Sequence, residues 1–149
     1  MKSIKKVLLF THEKYQKNKD ILRLNKFLKS KRIESELLIQ TSKNIQVQSS
    51  GEIVKNGKMS KQSSMQKHGM IIVFGGDGLF LSASKIAYHL DIPILGINFG
   101  KIGFLVDVDK KDIIKKVFEI VKGGYVIDKR IIKLVKTIIT CGLNDDWDF

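Results

Sequence analysis

Three glycines surround one carboxylate directly after an apolar run. The run Ile71-Ile72-Val73-Phe74 has the length of a buried strand, and Gly75-Gly76-Asp77-Gly78 follows it. An apolar-periodic helix pattern begins at Leu79, so the sequence predicts a strand, a tight turn and a helix start. We expect the glycines to permit positive φ and to let a ligand approach bare N–H groups, beside the free donors of the helix N-terminus. The corner suits a phosphate, and Asp77 would then hold a metal ion or accept a proton from an attacking hydroxyl.

A second glycine cluster follows the next predicted strand. Asp91–Asn98 has the pattern of a short buried strand, and Gly96-Ile97-Asn98-Phe99-Gly100-Lys101-Ile102-Gly103-Phe104 opens from its end. The first cluster alone is equally compatible with a turn that binds nothing. Two neighbouring strand ends that both open into flexible backbone favour a ligand site, because ligands of open α/β sheets bind at the carboxyl edge.

The first forty residues predict the opening β-α-β unit of a doubly wound parallel sheet. Lys5–Phe10 has strand character, with Thr11-His12 as the turn after it. Apolar residues at three- and four-residue steps predict a helix over Asn18–Lys31. Ile33–Ile39 then predicts a second strand, which completes the unit.

The helix after the first glycine cluster is predicted over Leu79–Leu90. One face is apolar and is expected to pack on the sheet; it consists of Leu79, Ala83, Ile86, Ala87 and Leu90. Lys85 points away from this face, as a solvated lysine would.

Three further segments complete the chain. Residues 40–68 are polar and predict a long surface connection, with a short strand at Ile53-Val54. Asp109 and Asp112 resemble a capping pair for a helix that Gly123-Gly124 ends. Val126-Ile127 and 131–139 are strand-like, so we expect a change of domain near residue 124.

Composition bounds the class of protein. With 149 residues, 43% hydrophobic and 28% charged, the chain has one globular domain's worth of sequence. No apolar run approaches the ~20 residues that a membrane span needs, and the first ten residues lack the features of a signal peptide. Cys141 is the single cysteine, which excludes an internal disulfide and fits a cytoplasmic protein.

The formal net charge of +12 invites comparison with nucleic-acid-binding proteins. The basic residues are almost all lysines, spread along the chain instead of clustered with aromatic residues, so we expect no nucleic-acid partner. A moderate positive field still favours polyanionic nucleotides. His12, His68 and His89 are far apart in sequence and lack metal-ligand spacing, so no metal site is assigned to them.

The two glycine clusters together resemble the paired signature of the ATP-dependent NAD kinases. Diacylglycerol kinases and 6-phosphofructokinases carry a motif similar to the first cluster, but the second cluster is far more specific and the spacing between the two fits. The resemblance continues through Lys122-Gly123-Gly124-Tyr125 and Lys129-Arg130 to Leu143-Asn144-Asp145, so it covers essentially the whole chain.

The resemblance implies an α/β fold, a Rossmann-like doubly wound parallel sheet over 1–124, with only the start of a C-terminal all-β domain over 125–149. It implies phosphoryl transfer from ATP, or polyphosphate, to the 2′-hydroxyl of the adenosine ribose of NAD, giving NADP. Mg²⁺ or another divalent metal would accompany ATP, and NAD would be a substrate. The full-length protein is expected to be a cytoplasmic homo-oligomer without nucleic-acid or membrane partners.

Carried over by position, the family's functional residues begin in the first cluster. Its catalytic aspartate falls on Asp77 and its phosphate-contacting glycine on Gly78, with Gly75 and Gly76 beside them. The basic residue that often follows on the helix falls on Lys85. No side chain is assigned as a protein-borne metal ligand.

The remaining correspondences lie further along the chain. The aromatic residue on the adenine side of the NAD site matches Phe104, and the Asn-acid pair that holds the dinucleotide matches Asn144 and Asp145. Leu79 departs from the family, since many members have a threonine there that could cap the helix or touch phosphate. The acidic tail 146–149 also departs, because the family continues an apolar strand there, so we expect an incomplete enzyme.

Two alternatives stay open on the sequence. One is a lipid or sugar kinase that shares the Gly-Gly-Asp-Gly corner. Those families lack the second cluster in the form found here, so this cluster is the feature that discriminates against them. The other is a non-catalytic nucleotide-binding fragment, for which the early end of the chain is the supporting feature.

Overall fold

A computed structural model gives the protein a parallel sheet with helices on both faces. It describes residues 3–41, 54–55, 58–59, 68–99, 105, 108 and 110–129. The strands are β1 (Lys6–His12), β2 (Glu34–Gln40), β3 (Val54–Lys55), β4 (Lys58–Met59), β5 (Met70–Gly75) and β6 (Ile94–Asn98). The helices are α1 (Lys19–Ser30), α2 (Asp77–Leu90) and α3 (Ile113–Val121), with 3₁₀ turns at Glu13–Tyr15 and Lys110–Asp112.

The strand order creates a reversal between β1 and β5. Four parallel strands form the main sheet in the order β2-β1-β5-β6. The chain therefore winds outward from β1 to β2 through α1, returns to the other side of β1 as β5, and winds outward again through α2. This confirms the predicted α/β class and is consistent with a Rossmann-like sheet. Ligands in such sheets bind outside the carboxyl ends at the reversal.

Alternating residues of the strands pack into two hydrophobic cores, one on each face of the sheet. The α1 and α3 face is built from buried residues that include Leu9, Ile72 and Phe74. The α2 face contains Leu8 and Phe10, with Ala83 and Ile86 among the residues from the helix. Because the central strands are covered on both sides, they appear in the sequence as continuous apolar runs instead of alternating ones.

The predicted elements of the first unit are present with small shifts in their bounds. α1 begins where predicted, because Asn18 is its N-cap and its side-chain oxygen accepts a hydrogen bond from the Asp20 amide at 2.8 Å. β1 continues through the residues predicted as a turn, because Thr11 pairs with Phe74 and His12 pairs with Gln40. The strand thus carries Thr11 and His12 to the carboxyl edge of the sheet.

Two expectations on the C-terminal side are wrong in detail. Asp112 precedes α3 but makes no side-chain capping bond. Its φ and ψ of −116° and 16° follow a 3₁₀ turn and lack the extended geometry of an N-cap. Val126 and Ile127 form no strand, and Val126 is 92% exposed, because β propensity alone supplies no pairing partner.

Within the long polar connection, β3 and β4 form an antiparallel pair. β3 lies one residue later in the sequence than the strand predicted at Ile53-Val54. The rest of the 42–67 connection lies outside the described residues, as do Asp109 and residues 131–139. So does almost all of the expected C-terminal domain. Among the described helices, none has the length and apolar character to cross a membrane.

Candidate active site

The two glycine clusters meet at one edge of the sheet. β5 and β6 are parallel neighbours, and Gly75 pairs in register with Asn98 at their carboxyl ends. The amide of Phe99 then donates to the carbonyl of Gly75 at 3.2 Å. The expectation that the two strand ends are neighbours at the carboxyl edge is therefore confirmed, while residues 100–104 of the second cluster lie outside the described residues.

Asp77 is the first residue of α2 and lies at this edge. Gly76 is the N-cap, and its carbonyl accepts the first helical hydrogen bond, from the Phe80 amide at 3.0 Å. The amides of the first turn have no acceptor within the helix, so they and the helix dipole favour an anion here. The Asp77 side chain accepts a hydrogen bond from the Leu105 amide at 3.2 Å, which ties this carboxylate to the chain beyond β6.

The glycines of the corner do not adopt positive φ. Among described glycines only Gly123 does, at 102°, so the expectation of left-handed backbone at the corner is wrong. A Cβ at Gly75 would lie 2.6 Å from Leu79 Cδ2, whereas a Cβ at Gly76 or Gly78 would meet no atom of the described residues within 4 Å. Packing therefore explains the glycine at 75, and the N-cap position suits the glycine at 76. Neither positive φ nor a described packing contact explains the glycine at 78.

The lack of described neighbours beside Gly76 and Gly78 has a chemical consequence. Among the described residues nothing covers these glycines, so a ligand can approach the backbone amides of the first turn of α2, with the partly buried Asp77 next to them. Amides bind phosphate oxygens, and a carboxylate at the same corner can accept a proton or help to hold a metal that comes with the phosphates.

Further contacts fix the corner, and sequence reasoning missed the residues that make them. The Thr11 hydroxyl donates to the carbonyl of Phe74 at 3.1 Å in the buried interior. The Tyr15 hydroxyl donates to the carbonyl of Phe99 at 3.2 Å. A hydroxyl that donates to a distant carbonyl leaves no periodic signal in the sequence. The available hint was that both residues lie within five positions after the predicted strand Lys5–Phe10.

The other predicted site residues either lie further from Asp77 or lie outside the described residues. Lys85 is exposed on α2, eight residues after Asp77 and thus about 12 Å further along the helix axis. Phe104, Asn144 and Asp145 lie outside the described residues. Within the described ranges, no group of three or more His, Cys, Asp or Glu side chains is arranged to hold a metal ion.

Leu79 takes a structural role at the position where the resemblance expects threonine. Its side chain packs against the core of the α2 face and covers Gly75. The first turn of α2 consequently offers backbone donors without a hydroxyl from this residue.

The fold is an α/β domain consistent with a Rossmann-like sheet, and it has a glycine-rich strand-to-helix turn at the carboxyl edge. A sequence model of the ATP-NAD kinase N-terminal domain matches residues 10–125. The chain therefore belongs to the ATP-NAD kinase family.

Individual relatives agree with this assignment. An NAD kinase of Legionella pneumophila (strain Corby) is 37% identical over 79 residues, which cover 53% of this chain and 27% of the relative. An NAD kinase of Acetivibrio thermocellus is 35% identical over 85 residues, 57% of this chain and 29% of the relative. One from Teredinibacter turnerae is 46% identical over 63 residues, 42% of this chain and 22% of the relative. The matched parts thus span less than a third of each relative's length.

Proposed function

We propose that this chain provides the catalytic-aspartate half of an NAD kinase. The reaction is transfer of the γ-phosphoryl group of ATP to the 2′-hydroxyl of the adenosine ribose of NAD, giving NADP. The observation that carries the proposal is that no atom of the described residues would lie within 4 Å of a Cβ at Gly76 or Gly78 at the start of α2, next to Asp77. Glycine is a good N-cap residue at 76, and at both positions the absence of a side chain lets a ligand approach the backbone closely.

Asp77 is the proposed proton acceptor. In the proposed complex the 2′-hydroxyl of NAD donates its proton to this carboxylate as its oxygen attacks the γ-phosphorus of ATP, while the bond from that phosphorus to the β-phosphate oxygen breaks and ADP leaves. In a loose phosphoryl-transfer transition state the attacking hydroxyl loses its proton late, so a strong base is not needed. Positioning and charge stabilisation therefore supply most of the rate enhancement. The amides of the first turn of α2 cradle phosphate oxygens and orient the donor. The hydrogen bond from the Leu105 amide holds Asp77 in place.

The divalent metal fits this corner as a companion of ATP. Mg²⁺ is commonly bound by one or two carboxylates together with substrate phosphates, and the described residues offer no larger ligand cluster. Asp77 is the residue at the corner that would contribute to holding it. When bound, Mg²⁺ supplies neutralisation of the phosphate charge.

The broader setting is part of the same proposal. Phe104 is proposed to line the adenine side of NAD, and Asn144 and Asp145 to hold the dinucleotide, with Lys85 contacting the nucleotide from α2. Residues 1–124 would form the nucleotide-binding domain and 125–149 the start of an all-β domain. We propose a cytoplasmic enzyme that forms a homo-oligomer as a full-length protein.

The first test is turnover with an Asp77→Asn variant. NADP formation from NAD, ATP and Mg²⁺ is measured for the 149-residue chain and for the chain extended by its downstream coding sequence. We expect the extended protein to turn over, Asp77→Asn to abolish turnover, and NAD affinity to stay within a few-fold. Asp91→Asn is the matched control, since it makes the same change at the other end of α2. Activity retained in Asp77→Asn would sink the assigned role.

A ligand screen separates the alternatives. Stabilisation by NAD but not by diacylglycerol, sphingoid lipids or fructose 6-phosphate is expected. A lipid or sugar kinase would show the opposite pattern. Binding of NAD without turnover by the extended protein would instead indicate a non-catalytic nucleotide-binding protein.

A further inference from the structure

Phe99 joins the two glycine clusters through its backbone. Its amide donates to the carbonyl of Gly75 at 3.2 Å, and its carbonyl accepts from the Tyr15 hydroxyl at 3.2 Å. Both contacts lie at the carboxyl edge, where Gly75 precedes the corner that carries Asp77. The position of Phe99 therefore depends on one contact from β5 and one from the turn after β1.

Aromatic packing supports the same arrangement. The rings of Tyr15 and Phe99 meet edge to face, with centroids 5.5 Å apart at 88°. Phe99 in turn contacts Phe74 at 5.5 Å, and Phe99 is only 4% exposed. Edge-to-face pairs of this geometry are favourable beyond the apolar area that they bury. The rings of Tyr15, Phe99 and Phe74 therefore contact one another in sequence, from the turn after β1 to β5, the strand that precedes Asp77.

Tyr15 is itself held in place by its own turn. The His12 side chain caps the 3₁₀ turn by accepting from the Lys14 amide at 3.3 Å. The Tyr15 carbonyl accepts from the amide of Asn18 at 2.9 Å, and Asn18 is the N-cap of α1. The hydroxyl of Tyr15 is thus presented by a turn that is fixed at both ends.

The contact of Tyr15 with Phe99 bears on Asp77 through the backbone. The Phe99 amide bonds the carbonyl of Gly75, two residues before Asp77. The Asp77 carboxylate in turn accepts from the Leu105 amide at 3.2 Å, so exchange of the Leu105 amide reports on the position of Asp77.

We propose that Tyr15 is a positioning residue for the candidate active site. Its hydroxyl and ring fix Phe99, and through Phe99 they set the carbonyl of Gly75 and thereby the start of α2, where Asp77 accepts from the Leu105 amide. Tyr15 touches no reacting atom. The kinetic part of this inference rests on the proposed kinase function, while the structural part can be measured without it.

The test compares Tyr15→Phe with Tyr88→Phe. Both remove one phenolic hydroxyl, but Tyr88 lies on α2 and is 65% exposed, which makes it the matched control. Site-resolved amide hydrogen exchange is the first readout. In Tyr15→Phe we expect exchange at Phe99 and Leu105 to rise about five-fold, the factor that corresponds to a net hydrogen bond of ~1 kcal/mol. Amides of the β1 and β5 ladder and all amides of Tyr88→Phe should keep the parent rates.

The second readout is a split of kinetic constants in the extended protein. Because Tyr15 acts through the orientation of Asp77, kcat should fall by a similar factor of about five while KM for NAD stays the same. Tyr15→Leu, which also removes the ring, should lower kcat further. A role in folding alone would lower the unfolding midpoint and leave kcat unchanged in the folded protein.

The outcomes separate the two proposals. Unchanged exchange at Phe99 and Leu105 in Tyr15→Phe would overturn the positioning role, whatever the activity. Faster exchange with an extended protein that makes no NADP would support the role and reject the kinase function. Faster exchange with unchanged kcat would also overturn the inference, because the site would then tolerate the loosened contacts.

Discussion

Gly75 and Gly78 lie three residues apart and lack side chains for different physical reasons. Gly75 faces the side chain of Leu79, whereas Gly78, in the first turn of α2, has no described neighbour where its Cβ would lie. We predict that Gly78→Ala leaves stability unchanged or raises it by up to about 1 kcal/mol, because alanine is the better helix former. The same methyl would occupy ligand space, so nucleotide affinity should fall by about ten-fold or more. Urea unfolding and nucleotide titration measure the two effects.

Gly75→Ala is the control for that prediction. Its Cβ would lie 2.6 Å from Leu79 Cδ2 and 3.0 Å from Leu79 Cβ, so the packing must shift. Overpacking of this kind costs about 1–3 kcal/mol. A loss of stability in both alanine variants, or full nucleotide affinity in Gly78→Ala, would contradict the distinction between a packing glycine and a ligand-facing one.

At the scale of elements, the three described α-helices end in the same backbone motif with different residues. A residue one or two positions after each helix has positive φ: 59° at Arg32, 50° at Asp91 and 102° at Gly123. In each, the next amide reaches back five residues, with Ile33 bonding Leu28, Ile92 bonding Ala87 and Gly124 bonding Glu119 at 3.0–3.1 Å. This is the Schellman arrangement, which favours glycine at the left-handed position.

Arg32→Gly should therefore stabilise the protein. A non-glycine residue in left-handed conformation costs about 1–2 kcal/mol, and the greater freedom of glycine in the unfolded chain offsets part of the gain. We expect a net increase of about 0.5–1 kcal/mol in the free energy of unfolding by urea denaturation. Asp91→Gly should gain less, because Asp tolerates this conformation better.

Lys29→Gly is the control on the same helix, because it should lower the free energy of unfolding that Arg32→Gly should raise. Lys29 is exposed in the last turn of α1, where glycine costs up to about 1 kcal/mol. If Arg32→Gly destabilised as much as Lys29→Gly, the strain assigned to Arg32 would be wrong.

The sequence predicted elements better than their contacts. Apolar periodicity was sufficient for α1 and α2, and the rule that carboxyl ends of parallel strands share an edge brought Gly75 and Asn98 together. Arg32 gave no sign of a left-handed end, because arginine is not a residue that marks such turns. The bond from Tyr15 to Phe99 spans 84 positions, and a hydroxyl that meets a distant carbonyl depends on tertiary packing and not on local sequence.

At the scale of the whole molecule, the described buried apolar residues of both faces of the sheet lie within residues 4–121, with partly buried Tyr125 packed against them. The amide of Ile4 donates to the carbonyl of Val121 at 2.7 Å, so the start of the chain and the end of α3 meet. Gly123 then ends α3, and the exposed Val126 and Ile127 follow.

A chain shortened to residues 1–129 should therefore fold as the full chain does. It keeps both described cores and the contact of Ile4 with Val121, so we expect one cooperative urea transition with the parent midpoint, followed by circular dichroism. A chain cut after Lys116 is the control, because it loses the buried Val117 and Val121, and we expect it to lack a cooperative transition. Loss of that transition in 1–129 would show that residues beyond 129 complete the core. The proposed boundary near residue 124 would then be wrong.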